Sequence, residues 1–129
     1  MDDRESGRPQ DWFRIGDKEI KRAQYLLDGD DLEGAAFNVQ QALEKYLKGH
    51  LFSRGWELRR IHNLETLINE TVRYDPSFEK YRYDCQKITK YYFIERYPLM
   101  ISLDLTADEV RESLHKAKEI IEKINAADE

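Results

Sequence analysis

The chain predicts an all-α helical bundle, and three observations carry that prediction. Apolar residues recur at steps of three and four through most of the length, and helix start and stop signals punctuate those runs. No stretch alternates apolar and polar residues as a half-buried strand would. At 129 residues the chain is the size of one domain, long enough to bury a core without cross-links. Charged residues make up 36% and hydrophobic ones 40%, a mix that suits helices with narrow inward stripes. The bundle is expected to comprise four long helices and one short one over residues 11–125, behind a disordered lead-in at 1–10.

The first helix starts near Gln10 or Asp11, with Trp12, Ile15, Gly16, Ile20, Ala23, Leu26 and Leu27 on its apolar face. Asp28-Gly29-Asp30 breaks it, Gly29 being suited to a left-handed cap. So short a link predicts an antiparallel hairpin with the second helix. That helix opens on Asp30 or Asp31 as N-cap and runs to about Arg54, where Gly55 can take the left-handed end conformation. Leu32, Ala36, Val39, Leu43, Tyr46 and His50 draw its apolar seam, while Gln41, Glu44 and Lys48 share a polar flank. A solvated face is the default reading of that flank, with a Glu44–Lys48 pair worth roughly 0.2–0.5 kcal/mol. The alternative is a lining for a groove between helices. Gly49, inside the helix, suggests close approach of another element.

After a loop over 55–62, Asn63 caps a short third helix carrying Leu64, Leu67, Ile68 and Val72. Asp75-Pro76 starts a fourth, with Asp as N-cap and Pro at the first helical position. Phe78, Tyr81, Cys85, Ile88 and Tyr92 trace its seam, and a further step of four reaches Arg96. Pro98 ends the helix around Glu95 to Tyr97. The connector 99–105 is too apolar for a freely solvated loop and predicts packing across the bundle or against a partner. Thr106 and Glu109 then form a capping box before a fifth helix with Val110, Leu114, Ala117, Ile121 and Ile124 inward, ending in a frayed tail.

A net charge of -5 argues against wholesale wrapping of nucleic acid and leaves room only for a local basic patch. The single cysteine, Cys85, falls on a helical seam and reads as a core residue of a protein from a reducing interior. A charged N-terminus and the lack of a long apolar run predict a cytoplasmic protein with no membrane span. No phosphate loop, metal-spaced cysteine or histidine cluster, or nucleophile elbow is present, so no cofactor and no metal are expected.

His50 on the second seam reads as a hydrogen-bonded core histidine first and a catalytic one second. Arg111 and His115, four apart on the fifth helix, could hold a phosphodiester but read as surface decoration. Arg96 is the better site candidate. A guanidinium at the end of an aromatic helix can grip phosphate bidentately, with Tyr91, Tyr92 or Tyr97 available to stack on a base; equally, it could pair with a carboxylate and fix the helix end. Arg59, Arg60 and His62 supply a second cluster of positive charge in the preceding loop.

Gln41-Ala42-Leu43-Glu44-Lys45-Tyr46-Leu47-Lys48, then Gly55, His62-Asn63-Leu64, and Tyr92 with Arg96-Tyr97-Pro98, together resemble the HEPN family, the higher eukaryote and prokaryote nucleotide-binding helical domain. The resemblance runs from about Trp12 to Ile124. It implies an up-down bundle that forms homodimers and is encoded beside a minimal nucleotidyltransferase in a toxin-antitoxin pair. Taken with the reading of the residues above, the candidate ligand site for a nucleotide or RNA comprises Arg96, Tyr92, Tyr97, Lys48, Glu44, Arg59, Arg60 and His62. Family ribonucleases carry an Arg followed after four to six residues by a His, and this chain has no such pair: Arg111 and His115 are too close together, and no histidine follows Arg96 at that distance. The resemblance therefore points to the non-catalytic, nucleotide-binding or partner-binding branch. The rival readings are a metal-independent ribonuclease using Arg96, His62 or His115, and a ligand-free structural helical adapter.

Overall fold

The computed structural model describes residues 7–57, 59–94, 96 and 104–127. The expectations placed on residues 1–6 of the lead-in, on Glu95, Tyr97 and Pro98 at the end of the fourth helix, on 99–103 of the apolar connector and on the last two residues of the tail lie outside the described residues. Among the described residues all regular structure is helical: α1 Pro9–Asp28, α2 Leu32–Ser53, α3 Leu64–Tyr74, α4 Arg82–Ile88 and α5 Ala107–Ala127, with 3-10 segments at Pro76–Tyr81 and Thr89–Phe93 flanking α4.

The end signals work as side-chain chemistry requires, with two corrections. Pro9 is not part of the lead-in but opens α1, where its missing N–H costs nothing. The left-handed residue between α1 and α2 is Asp30, at φ 63, whereas Gly29 stays at φ -93. Asp31 then caps α2 by accepting from the Gly34 N–H at 2.9 Å. Gly55 takes φ +90 at the other end, as its position predicts. Asn63 caps α3 by accepting from Glu65 N–H at 2.8 Å, Asp75 accepts from Ser77 N–H at 3.0 Å, and Thr106 accepts from Glu109 N–H at 3.1 Å.

α2 is the central element. It packs against α1, α3, α4, the second 3-10 segment and α5, and every residue from Ala42 to Leu51 is buried. The α1–α2 hairpin closes through glycines: a Cβ on Gly49 would lie 2.7 Å from the Phe13 ring and 3.0 Å from Trp12 Cβ, and one on Gly16 would lie 2.5 Å from the Tyr46 ring. Phe13 and Tyr46 stack with centroids 5.1 Å apart, and the Tyr46 hydroxyl donates to Asp17. Burial, with the Asp17 carboxylate second, pushes the Tyr46 hydroxyl pKa up.

The expected single fourth helix is instead a 3-10, α, 3-10 succession. In a 3-10 segment a residue recurs on the same face every three positions, not every three or four. The inward seam therefore runs Phe78, Tyr81, Cys85, Ile88, Tyr91 and Ile94, all buried, and Tyr92 is turned onto the flank. Tyr91 is thus core, its hydroxyl 3.0 Å from Ser113 Oγ on α5, and is not available to stack on a ligand. Cys85 is fully buried, and burial pushes its thiol up to about 12.

Candidate functional site

The polar flank of α2 is buried. Glu44 and Lys48 each have no exposed side-chain surface, so the solvated-face reading is overturned: both lie in the interior, where neither can touch a ligand as expected, and they can act on a site only through the residues they meet. Helical spacing lines up Gln40, Glu44 and Lys48 at steps of four, and the loop ending at Asn63 lays His62 across that line. Glu44 is met by Lys48 Nζ at 3.2 Å, Gln40 Nε2 at 3.3 Å, His62 Nδ1 at 3.0 Å, and Lys45 Nζ at 3.5 Å. An ionised carboxylate only accepts, so a buried one needs such a set of donors. Gln40 Nε2 also donates to the His62 backbone carbonyl at 3.0 Å, while Gln41 Nε2 donates to Gln40 Oε1 at 2.6 Å and Lys45 Nζ to Gln41 Oε1 at 3.3 Å. Lys48 Nζ lies 5.9 Å from the Trp12 ring.

From this buried base the site rises to the surface. The His62 imidazole stacks on Tyr92 with centroids 4.7 Å apart and an interplanar angle of 12°. The Arg96 guanidinium lies over the same tyrosine ring, with Cζ 4.7 Å from the centroid. Phe93 meets Tyr92 edge-on at 5.4 Å. Thr89, in the same 3-10 segment as Tyr92, accepts from the Leu64 N–H at 2.9 Å and so ties this segment to the start of α3, next to His62.

Of the expected ligand residues, the fold brings Glu44, Lys48, His62, Tyr92 and Arg96 into one continuous set. Arg59 and Arg60 are exposed in the loop, Arg59 lying over Trp56 at 5.6 Å, and Tyr97 lies outside the described residues. Arg96 is exposed, so the expected helix-end groove does not enclose it. The structure adds Gln40 and Lys45, which the sequence reading passed over although their spacing of four from Glu44 and Gln41 marks them as neighbours.

The other candidates fall away. His50 is buried beside Phe78, with ring centroids 5.6 Å apart, in the core. Arg111 pairs with Asp108 at 2.8 Å and His115 with Glu119 at 3.0 Å, both on the exposed face of α5. Among the described residues no group of His, Cys, Asp and Glu could hold a metal ion, and no helix is long and apolar enough to cross a membrane.

The all-helical bundle, with its long central helix and its mixed 3-10 and α segment, is a fold that other chains share. The sequence description of the HEPN domain matches residues 9–127, and the chain belongs to that family. Among solved structures, TT1696 from Thermus thermophilus is similar at 27% identity and a TM-score of 0.79, over 94% of this chain and 98% of that one. ST0689, described as an archaeal HEPN homologue, shares the fold at 24% identity and a TM-score of 0.76, over 95% of this chain and 98% of that one. No curated protein gives a match.

Proposed function

We propose that this protein is a nucleotide- or RNA-binding and partner-binding module, one component of a toxin-antitoxin type pair with a minimal nucleotidyltransferase, and that it works as a homodimer. The observation that carries the reading is the Glu44–His62–Tyr92–Arg96 succession. A buried carboxylate fixes an imidazole, the imidazole and a tyrosine stack, and an exposed guanidinium lies over the tyrosine. A guanidinium lying over an aromatic ring at the surface offers its N–H groups to a phosphate, and the ring beside it can stack on a base. Self-association is supported by exposed Tyr83 and Phe93 on α4 and the segment after it. Titrating the protein with nucleotides and short RNA, together with sedimentation and a search for a co-purifying nucleotidyltransferase, tests the reading. A monomer that binds none of these would be a structural adapter.

A second reading, a metal-independent ribonuclease, is favoured by one observation: His62 is oriented by a buried carboxylate, which is what a general base requires. RNA cleavage without added metal that disappears in a combined His62→Ala, His115→Ala, Arg96→Ala variant would establish it.

A further inference from the structure

We propose that the outward face of α1 docks an acidic segment of a partner protein, one that seats a large apolar side chain against Tyr25. This surface belongs to the partner-binding half of the proposed function, on which the inference rests, and needs nothing of the nucleotide or RNA site. Helical spacing makes the face: Arg14, Lys18, Lys21 and Tyr25 recur at steps of four and three with Arg22 beside them, and all five are exposed. The acids of the same helix are engaged elsewhere. Asp11 meets Arg8 at 3.4 Å and Arg14 at 3.0 Å, Asp17 accepts from the Tyr46 hydroxyl, and Asp28 accepts from Gln24 Nε2 at 2.9 Å. Glu19 is half-buried, with one carboxylate oxygen fully covered. Lys18, Lys21 and Arg22 are therefore left without an ion pair among the described residues, a row of uncompensated positive charge on a chain whose net charge is -5.

The row carries an apolar seat. Tyr25 is 79% exposed, and beside it a shallow hollow of about 430 Å³ is lined by Lys21, Arg22, Tyr25 and Leu26. Its walls are almost wholly apolar, so the two cations line it with their methylene stems and keep their charged heads in water. An apolar seat rimmed by charge, with a tyrosine and an arginine at its edge, is the composition of a protein-docking anchor. The free cations set the sign of the partner, and the seat sets its class. A nucleobase would carry donors and acceptors into walls that offer them no polar group. A membrane surface would need a row of apolar side chains, whereas the other exposed members of this stripe are cations. A leucine or phenylalanine flanked by aspartates and glutamates meets both the charge and the seat.

The test titrates a labelled peptide of glutamates flanking one leucine into the full chain, following anisotropy and the backbone amide spectrum. Amide shifts should gather on residues 14–26. Tyr25→Ser should weaken binding about tenfold, as should Lys21→Glu combined with Arg22→Glu. Replacing the leucine of the peptide by glutamine should cost a similar factor, and added salt should weaken binding further. All three substituted side chains are exposed, so circular dichroism of the variants should match the wild type. If the charge reversal disturbs the helix, Lys21→Gln with Arg22→Gln reads the same contact. Shifts scattered over the surface, binding indifferent to the leucine, or affinity unchanged in the Tyr25 and charge variants would overturn the inference. So would oligouridylate or phosphatidylserine vesicles binding this face more tightly than the peptide does. Sedimentation and the search for a co-purifying nucleotidyltransferase test the partner reading itself, so that reading can stand where this surface fails.

Discussion

Glu44 and Lys48 are joined by a 3.2 Å ion pair in which neither side chain has any exposed surface. Burying two charges is tolerable only while each has its partner, because the desolvation cost is then offset by mutual attraction and by added hydrogen bonds. Here those additions come from Gln40 and His62, and His62 is the surface group of the candidate site. The ion pair that steadies the core is thus also the base on which the site stands.

Truncating the acid should accordingly cost far more than a surface pair would. Glu44→Ala removes the buried carboxylate that meets Lys48, Lys45, Gln40 and His62, and the expected loss is about 3–5 kcal/mol of unfolding free energy. Urea denaturation of both proteins measures it. A loss in the range of an exposed helix pair, below about 0.5 kcal/mol, would contradict the burial of the pair.

The glycines of the α1–α2 contact predict a second effect on stability. Gly16→Ala would place a methyl 2.5 Å from the Tyr46 ring, and that ring is itself buried and stacked on Phe13. Gly49→Ala would meet Phe13 and Trp12 from the opposite helix. The gain in helix propensity, about 1 kcal/mol, is outweighed where helices must part to admit the methyl. Both variants should melt below the wild type, whereas Gly7→Ala, with nothing near it, should not.

Cys85 gives an alkaline signature. Its thiol ordinarily ionises near 9.0 but is pushed up to about 12 by burial, with Asp84 adding to the effect. Below the ordinary value the thiol is neutral folded and unfolded, and contributes no pH dependence. Between 9.0 and about 12 the unfolded chain releases a proton that the folded one keeps, so stability falls by up to about 1.4 kcal/mol per pH unit. Denaturation midpoints across that window should fall less steeply for Cys85→Ala. The native thiol should also resist alkylation until the protein unfolds.

The elements were legible because their ends are written in local chemistry: Asp31, Asn63, Asp75 and Thr106 cap in the structure as their types and positions predict. The site was legible only in part. Glu44 and Lys48 have the spacing of an exposed i,i+4 pair, and periodicity carries no information about the loop that covers them; only the tertiary path placing His62 over Glu44 turns the flank into an interior. The switch to 3-10 geometry around α4 was equally hidden. It buries Tyr91 in place of Tyr92 and so leaves Tyr92 to the stack with His62, a change of one residue in register that a three-four seam cannot anticipate.

Arg96 offers the sharpest separation of site from fold. Its guanidinium is exposed and lies over Tyr92, an arrangement worth about 0.5–1 kcal/mol at an exposed position, so Arg96→Ala should lower the melting temperature only slightly. Ligand binding should respond differently. A phosphate held by the guanidinium makes charge-assisted hydrogen bonds, and their loss should weaken nucleotide or RNA binding by about 1.5–3 kcal/mol. Arg96→Lys keeps the positive charge but lacks both the planar surface that lies on Tyr92 and the paired N–H groups, so it should restore only part of the affinity. Isothermal titration of the three proteins, with melting curves recorded alongside, separates the roles. A fall of many degrees in Arg96→Ala, with wild-type affinity retained, would assign the residue to the fold and remove it from the site.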